Sequence, residues 1–416
     1  MQHVVRKRRR GSIGTTIVAA LLALVLAACS DGHVDVRPMP AIGWPTYGGT
    51  DGNTNFTYAQ VPDGLKLSWT RPVGGPITAP LSLNGYGDVA VTSRSTAGCN
   101  MFVFDSRNGR KNYCKRMRPG VEMNTAAMDQ YGQAYIGEQS MLLAFNGGGS
   151  IRWRMPMIGV PLSAKFAGPG KVLLTTTQGQ LLLVNAQTNV FEAPEVRLRP
   201  DADPDDPLHG LGDCVSGGPQ CALPSPPAVD PAHERFFLNH HPADGPSQVK
   251  AVSYAGRDGN RTLADLWTAD LPGGVMGPAV SSQDGKTVYA FSRSGSLFAL
   301  DAATGKQRWT YDLGGHGFAT MTVSPDGLIV PAGGIGSPLT VLRDAGDKAE
   351  QVVKRDDLQT VTLSTLTNSG TVWTIVREGA DQHLMLTEVS TEDGKTLRSL
   401  ALPGATGFTT GIAVSP

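Results

Sequence analysis

The chain has 416 residues, 51 of them Gly and 29 Pro, with 36 basic and 36 acidic side chains. Setting aside the five basic residues at positions 6–10 leaves 31 basic against 36 acidic, a weakly acidic remainder with no basic face for nucleic acid. So many turn formers, without a sustained helical period, indicate many short strands and exclude a helical bundle.

Residues 1–28 are a basic head followed by the apolar run Ile17 to Ala28. Twelve residues are too few to span a hydrocarbon core, so the run reads as the core of a signal peptide. It ends in Leu26-Ala27-Ala28-Cys29, which resembles the lipobox of bacterial lipoproteins. The resemblance implies a lipid on Cys29 and removal of 1–28. Acyl chains on one residue would hold the protein at a membrane, each buried methylene contributing about 0.8 kcal/mol. Ser30 in place of Asp lacks the inner-membrane retention signal of such lipoproteins. The expected location is the periplasmic side of the outer membrane in a Gram-negative cell, or otherwise the outer face of the cell membrane.

Residues 29–43 read as a lipidated tether stiffened by Pro38 and Pro40, and 44–416 as the folded body. The body opens with Trp44-Pro45-Thr46-Tyr47-Gly48-Gly49-Thr50-Asp51-Gly52-Asn53-Thr54-Asn55, leading to Leu65 through Trp69. This opening resembles the mature N-terminus of pyrroloquinoline-quinone (PQQ)-type propellers.

The clearest repeat is Lys286 to Trp309. Thr287 to Phe291 and Ser296 to Leu300 are β-branched or apolar strands around a Ser294-Gly295 turn. A second turn, Asp301 to Lys306, leads to an outer strand carrying Trp309. A meander of about 40 residues ending near a Trp is the mark of a propeller blade. Innermost strands are expected near Ile77, Asn124, Val160, Leu223, Met276, Phe318, Thr360 and Phe408, and Trp69, Trp153, Trp267 and Trp309 occupy matching outer places. The fold expected is therefore an all-β propeller of four-stranded antiparallel blades. Seven are complete, and an eighth is closed by the strand at Trp69 and the strand at Phe408–Val414. Residues 44–60 are the stretch left to supply its middle strands, and seven blades is the alternative. A ring closed in this way exposes no sheet edge and reads as a monomer.

Four further cysteines, an even number in an exported chain, point to disulfides. Pairing the strands around the turn at 105–109 sets Cys99 opposite Cys114, and Cys214 and Cys221 bracket a short loop. These spacings match no zinc pattern. Cys214 and Cys221 lie in an insertion at about 197–250. Its Asp201, Asp203, Asp205 and Asp206 lack the Gly and Glu of a calcium loop, leaving a solvated acidic segment. His209, His233, His240 and His241 in the same Pro-rich region read as surface residues.

Motifs for catalysis are absent: there is no G-x-S-x-G, P-loop or HExxH pattern, and Gly85 to Ala90 matches a dinucleotide fingerprint only as a turn between strands. The blade repeat is similar to that of quinoprotein dehydrogenases, which implies PQQ and calcium as cofactors and an Asp base. This chain has no vicinal Cys–Cys pair and no residue that matches those ligands, so no catalytic, cofactor or metal residue is assigned. The combination of lipid anchor, length and blades is similar to the lipoprotein propeller of the outer-membrane β-barrel assembly machinery. That likeness implies a non-enzymatic scaffold binding an envelope protein partner. A third expectation is a glycan or small ligand in the central funnel, where Phe318 and Phe408 either stack on it or pack in the core.

Overall fold

In the stretch Thr287–Ser292 and Ser296–Asp301 nearly every side chain is buried, whereas Gln307–Asp312 alternates between exposed and buried. Middle strands covered on both faces need unbroken apolar runs, and an outer strand wetted on one face does not. This unit recurs. In a computed structural model, which describes residues 36–314, 318–334, 336–378, 383–405, 407 and 409–415, the described residues form seven four-stranded antiparallel units in chain order, the first extended by Gly43–Trp44 and the last by Phe56–Thr57, besides a two-stranded ribbon at 256–261. Their innermost strands are Ser82–Asn84, Ala127–Met128, Lys165–Phe166, Ala228–Asp230, Val275–Ser281, Phe318–Val323 and Thr365–Thr367. They are numbered here as sheets 1 to 7. Sheets 6 and 7 are also joined where Gln359 and Thr360 pair with Arg377 and Val376.

Apolar side chains are distributed between neighbouring sheets and not gathered in one centre. Tyr135, Leu142 and Ala144 of sheet 2 meet Phe166, Leu174 and Leu182 of sheet 3, and similar clusters fill the other interfaces. Consecutive sheets from 1 to 7 thus stabilise one another, as in repeat proteins. The outer tryptophans stitch these interfaces. Trp153 donates from Nε1 to the carbonyl of Ala186, Trp267 to that of Ala302, and Trp309 to the Asp344 carboxylate, each in a turn of the next sheet. Gly305 does more than close a turn, because a Cβ there would lie 2.5 Å from the Trp267 ring.

The closing position differs from expectation. Trp69 makes the matching contact with sheet 1, donating to the Ser106 carbonyl at 2.7 Å, but 65–73 contains no strand. Thr409 donates its backbone N–H to Val361, and the Thr365 hydroxyl donates to Ile412, which sets 409–412 inside sheet 7. This segment is also irregular, and Phe408 lies outside the described residues. Residues 44–60 supply no middle strands there; they run across the sheets instead. Inner strands of sheets 1, 2, 3, 4 and 7 also start a few residues later than expected. The small and Pro residues mark a lead-in before each strand.

Both disulfides are present, Cys99–Cys114 with Cα atoms 5.8 Å apart and Cys214–Cys221 at 5.0 Å. The first does not join directly opposed residues. A bulge between Val103 and Phe104 shifts the register, so Cys114 faces Phe102 and Cys99 reaches it from beyond the strand. Cys29 lies outside the described residues. Among the described residues no helix is long and apolar enough to cross a membrane.

Candidate functional site, a channel closed at one end

The lead-ins to the inner strands, and in sheets 5 and 6 the first residues of the strands themselves, surround the propeller axis. Thr78, Met123, Leu162, Ser225, Met276, Thr320, Leu363 and Thr410, one from each sheet and one from the closing segment, line a cavity of about 660 Å³. Tyr47 forms its floor, and Cys214 to Gly217, Arg94 and Arg293 border it at the other end.

The floor belongs to residues 43–57, a strap that visits the sheets in order. Gly43 and Trp44 pair with Asn84 and Leu83 of sheet 1. The Pro45 carbonyl accepts from Met128 of sheet 2 at 2.7 Å, and the Thr46 hydroxyl donates to Ala164 before sheet 3 at 3.0 Å. Carbonyls of Asp51, Gly52, Thr54 and Asn55 then accept from Val229, Ser281, Val323 and Leu366 of sheets 4 to 7. Phe56 and Thr57 end the strap as a parallel partner of Leu366 and Thr367.

The residue types follow from that path. Asn53 and Asn55 take positive φ, 62° and 51°, which Asn tolerates better than most side chains. The Asn53 amide spans sheets 4 and 5 by donating to Pro227 at 3.2 Å and Ala279 at 3.0 Å. Gly49 must lack a Cβ, which would stand 2.6 Å from the Trp44 ring. Lys165 is fully buried and donates to the carbonyls of Tyr47 at 2.5 Å and Thr50 at 2.9 Å. Burial pushes its ammonium down from the usual lysine range and pushes the Asp51 carboxyl up, while attraction between the two opposes both shifts. The opening motif therefore closes one end of the channel.

The open end is crowned by residues 198–227, the connection between sheets 3 and 4. Its short helix Leu211–Ser216 is tied by the Cys214–Cys221 disulfide, and Arg293 donates to the Gly217 carbonyl. Arg199, buried among these residues, donates to Asp201 and to the Pro219 carbonyl at 2.6 Å. The acidic segment is organised by such pairs and by the Gln178 amide, which donates to Asp206 at 2.7 Å. Val215 projects from the helix and is 71% exposed.

Two histidines depart from expectation. The later part of the expected insertion is sheet 4 itself, with strands Ala228–Asp230, Arg235–His240 and Gln248–Ser253, and its His240 and His241 are buried beneath the 198–227 connection, where the His241 backbone N–H donates to Ala222 at 2.9 Å. Both ring nitrogens of His240 lack a hydrogen-bond partner. Burial, aided by the Lys250 charge, lowers its pKa to about 4, so the ring is neutral at physiological pH. The Arg-Phe-Phe-Leu-Asn-His run, residues 235–240, was the available signal: a buried strand continues through His240. His209 and His233 are partly exposed, as expected for surface residues.

A quinone with its calcium ion would need several oxygen ligands around the ion. The cavity lining carries two guanidinium groups and no carboxylate, and among the described residues no group of three His, Cys, Asp or Glu side chains is placed to hold a metal. The residues do not fit that pair. Phe408 and the Phe318 side chain lie outside what the structure describes.

Comparison with known proteins agrees with the architecture. A family model described as "Outer membrane protein assembly factor BamB" matches residues 249–410. Protein Rv3035 of Mycobacterium tuberculosis (strain ATCC 25618 / H37Rv) is 31% identical over 395 residues, covering 94% of this chain and 95% of that protein. Among solved structures, BamB from Moraxella catarrhalis is 16% identical with a TM-score of 0.53, covering 80% of this chain and 89% of that one. Quinohemoprotein alcohol dehydrogenase ADHIIG from Pseudomonas putida HK5 is 13% identical with a TM-score of 0.61, covering 89% and 73%. A europium-containing methanol dehydrogenase is 12% identical with a TM-score of 0.55, covering 89% and 87%. At these identities the solved structures establish the fold, a PQQ-like β-propeller.

Proposed function

We propose, for a chain that belongs to the family of Protein Rv3035 of Mycobacterium tuberculosis, a lipid-anchored, non-enzymatic propeller that binds a protein partner at the cell envelope. The anchor is the acylated Cys29 implied by the leader. The binding surface is the open end of the channel. The observation that carries this reading is the contrast between the ends: a strap bonded to all seven sheets closes one, while the other presents an exposed Val215 on a disulfide-tied loop. Long loops fixed on a rigid scaffold commonly serve recognition. The BamB family match over 249–410 supports an assembly role in the envelope.

The test is a photoreactive residue at Val215 in the intact cell, with one at Leu397, exposed on an outer strand, as control. A defined envelope protein should crosslink at 215 and not at 397. No adduct at 215, or equal adducts at both, overturns the reading. Addition of PQQ and calcium should give neither a bound chromophore nor dye reduction; either signal would establish the quinone-dependent dehydrogenase instead.

The cavity between Arg94 and Arg293 favours a second reading, an anionic small ligand or acidic glycan in the channel. Saturable melting shifts with an acidic-ligand panel, abolished by Arg293→Glu, would support it over the scaffold.

A further inference from the structure

The strap face carries an apolar surface that closing the channel does not require. Ile42, 75% exposed, sits against the turn at Gly85, where an added Cβ would lie 3.3 Å from that of Ile42. Tyr86 of that turn, also exposed, donates its hydroxyl to the Gln130 carbonyl at 2.5 Å, and the Gln130 N–H donates to Met39 at 2.9 Å. Tyr131, the next residue, is exposed beside them. Across the strap, exposed Tyr58 donates to Gln283 at 2.9 Å and shares with Ile42 a cavity of about 400 Å³ walled by Phe56, Val229 and Pro231. Met39, Ile42, Tyr58, Tyr86 and Tyr131 are thus exposed on the strap face, with Ile42 and Tyr58 bordering one cavity. Large exposed apolar patches on soluble folds mark interaction sites.

The chain itself indicates what covers the patch. Residues 37–42 run along this face: the Pro38 carbonyl accepts from Gly170 at 2.8 Å, and Ala41 donates to Met128 at 2.9 Å. Cys29 lies eight residues before Arg37, a stretch that spans no more than roughly 30 Å when fully extended. A lipid on Cys29 would therefore hold the bilayer within that reach of Arg37. Tyrosine suits that setting, having an apolar ring and a polar tip that match the boundary between acyl chains and headgroups. The geometry points to the strap face as a membrane-docking surface that lies on the lipid interface and aims the open end of the channel away from it. This rests on the anchoring reading and goes beyond it, by fixing an orientation that a tether alone leaves free.

Hydrogen exchange of the full-length lipoprotein, with and without phosphatidylglycerol–phosphatidylethanolamine vesicles, tests the orientation. Backbone amides in 39–43, 57–60, 84–88 and 129–133 should slow by roughly threefold or more on vesicles, while 94–98 and 211–218 stay unchanged. Protection at the channel mouth, or at neither end, overturns the orientation. Strap-face protection that needs no vesicles and grows with protein concentration also overturns it, assigning the face to a second copy. Mass spectrometry of Cys29 judges the anchor separately: an unmodified thiol sinks the anchoring reading, and the exchange pattern still decides the face. In a full-length Cys29→Ser chain, Ile42→Glu with Tyr86→Glu should weaken residual vesicle binding by roughly tenfold without lowering the melting temperature.

Discussion

The two ends of the channel are built in contrasting ways. The strap at 43–57 is bonded to seven sheets, has two Asn residues at positive φ, and rests on a buried lysine. The crown at 198–227 is held by one disulfide, a few side-chain-to-carbonyl bonds, and backbone bonds near its ends with Thr177, Gly179 and His241, and its six-residue helix has no buried residue. One segment is fixed by the ring and in turn fixes the ring. The other is fixed to the ring at its two ends and carries between them a helix with no buried residue, which leaves its outer surface free to meet something else. Changes in the strap should therefore appear as lost stability, and changes in the crown as lost binding.

The largest effect is expected from Lys165→Met. Its ammonium donates to two strap carbonyls and offsets the buried Asp51 carboxylate, one oxygen of which has no hydrogen-bond partner. Removing one member of a buried charged pair costs about 3–5 kcal/mol. Denaturant unfolding should show that loss, partly restored by adding Asp51→Asn. A midpoint equal to the wild type would mean that the strap is not a structural closure. Asn53→Ala comes next, because it deletes the amide linking sheets 4 and 5 and leaves Ala at positive φ, for about 2–3 kcal/mol. Asn53→Gly, which relieves φ but not the lost bonds, should recover part of it.

That contrast also marks what the sequence could reveal. Blades were legible because each one repeats a local pattern: a buried pair of strands, an Asp-to-Gly turn, a Trp at fixed spacing. The disulfides were legible because their partners sit a turn apart. The strap's role was not. Its bonds reach from Thr46 to Ala164 and from Asn53 to Ala279, and no local period encodes contacts so distant in sequence. The motif Trp44 to Asn55 could be matched to a family, but its mechanical reason appears only in the assembled ring. Trp69 misled in the opposite sense, since a conserved-looking contact survives there without a strand. The channel mouth was half legible: the insertion was visible, but the burial of His240 was hidden by its Pro-rich surroundings.

His240 gives an intermediate effect and tests whether the crown is coupled to the ring beneath it. The unfolded imidazole titrates at its ordinary pKa of 6.5, the folded one at about 4. Between those values the unfolded chain binds a proton that the folded protein refuses, so stability is full above 6.5 and declines as pH falls towards 4. The loss is at most about 3 kcal/mol, from 1.36 kcal/mol per pH unit. His240→Gln, neutral throughout, should flatten the decline in melting temperature between pH 6.5 and 4. An unchanged acid slope would place the acid sensitivity elsewhere.

The smallest stability effect is expected at the open end, where the functional effect should be greatest. Val215 is exposed and Arg293 reaches only the Gly217 carbonyl, so Val215→Glu and Arg293→Glu should each change unfolding free energy by no more than about 0.5 kcal/mol, the range for surface substitutions. Crosslinking to the envelope partner, by a photoreactive residue at the neighbouring Ser216, should nevertheless fall in both variants. Arg293→Glu puts a carboxylate against a carbonyl oxygen and loosens the crown; Val215→Glu leaves the crown intact and alters only its outer surface. If the first abolishes capture and the second does not, recognition depends on the shape of the crown. If both do, the partner covers Val215 itself. Loss of stability without loss of capture in either variant would reverse the division of labour between the two ends.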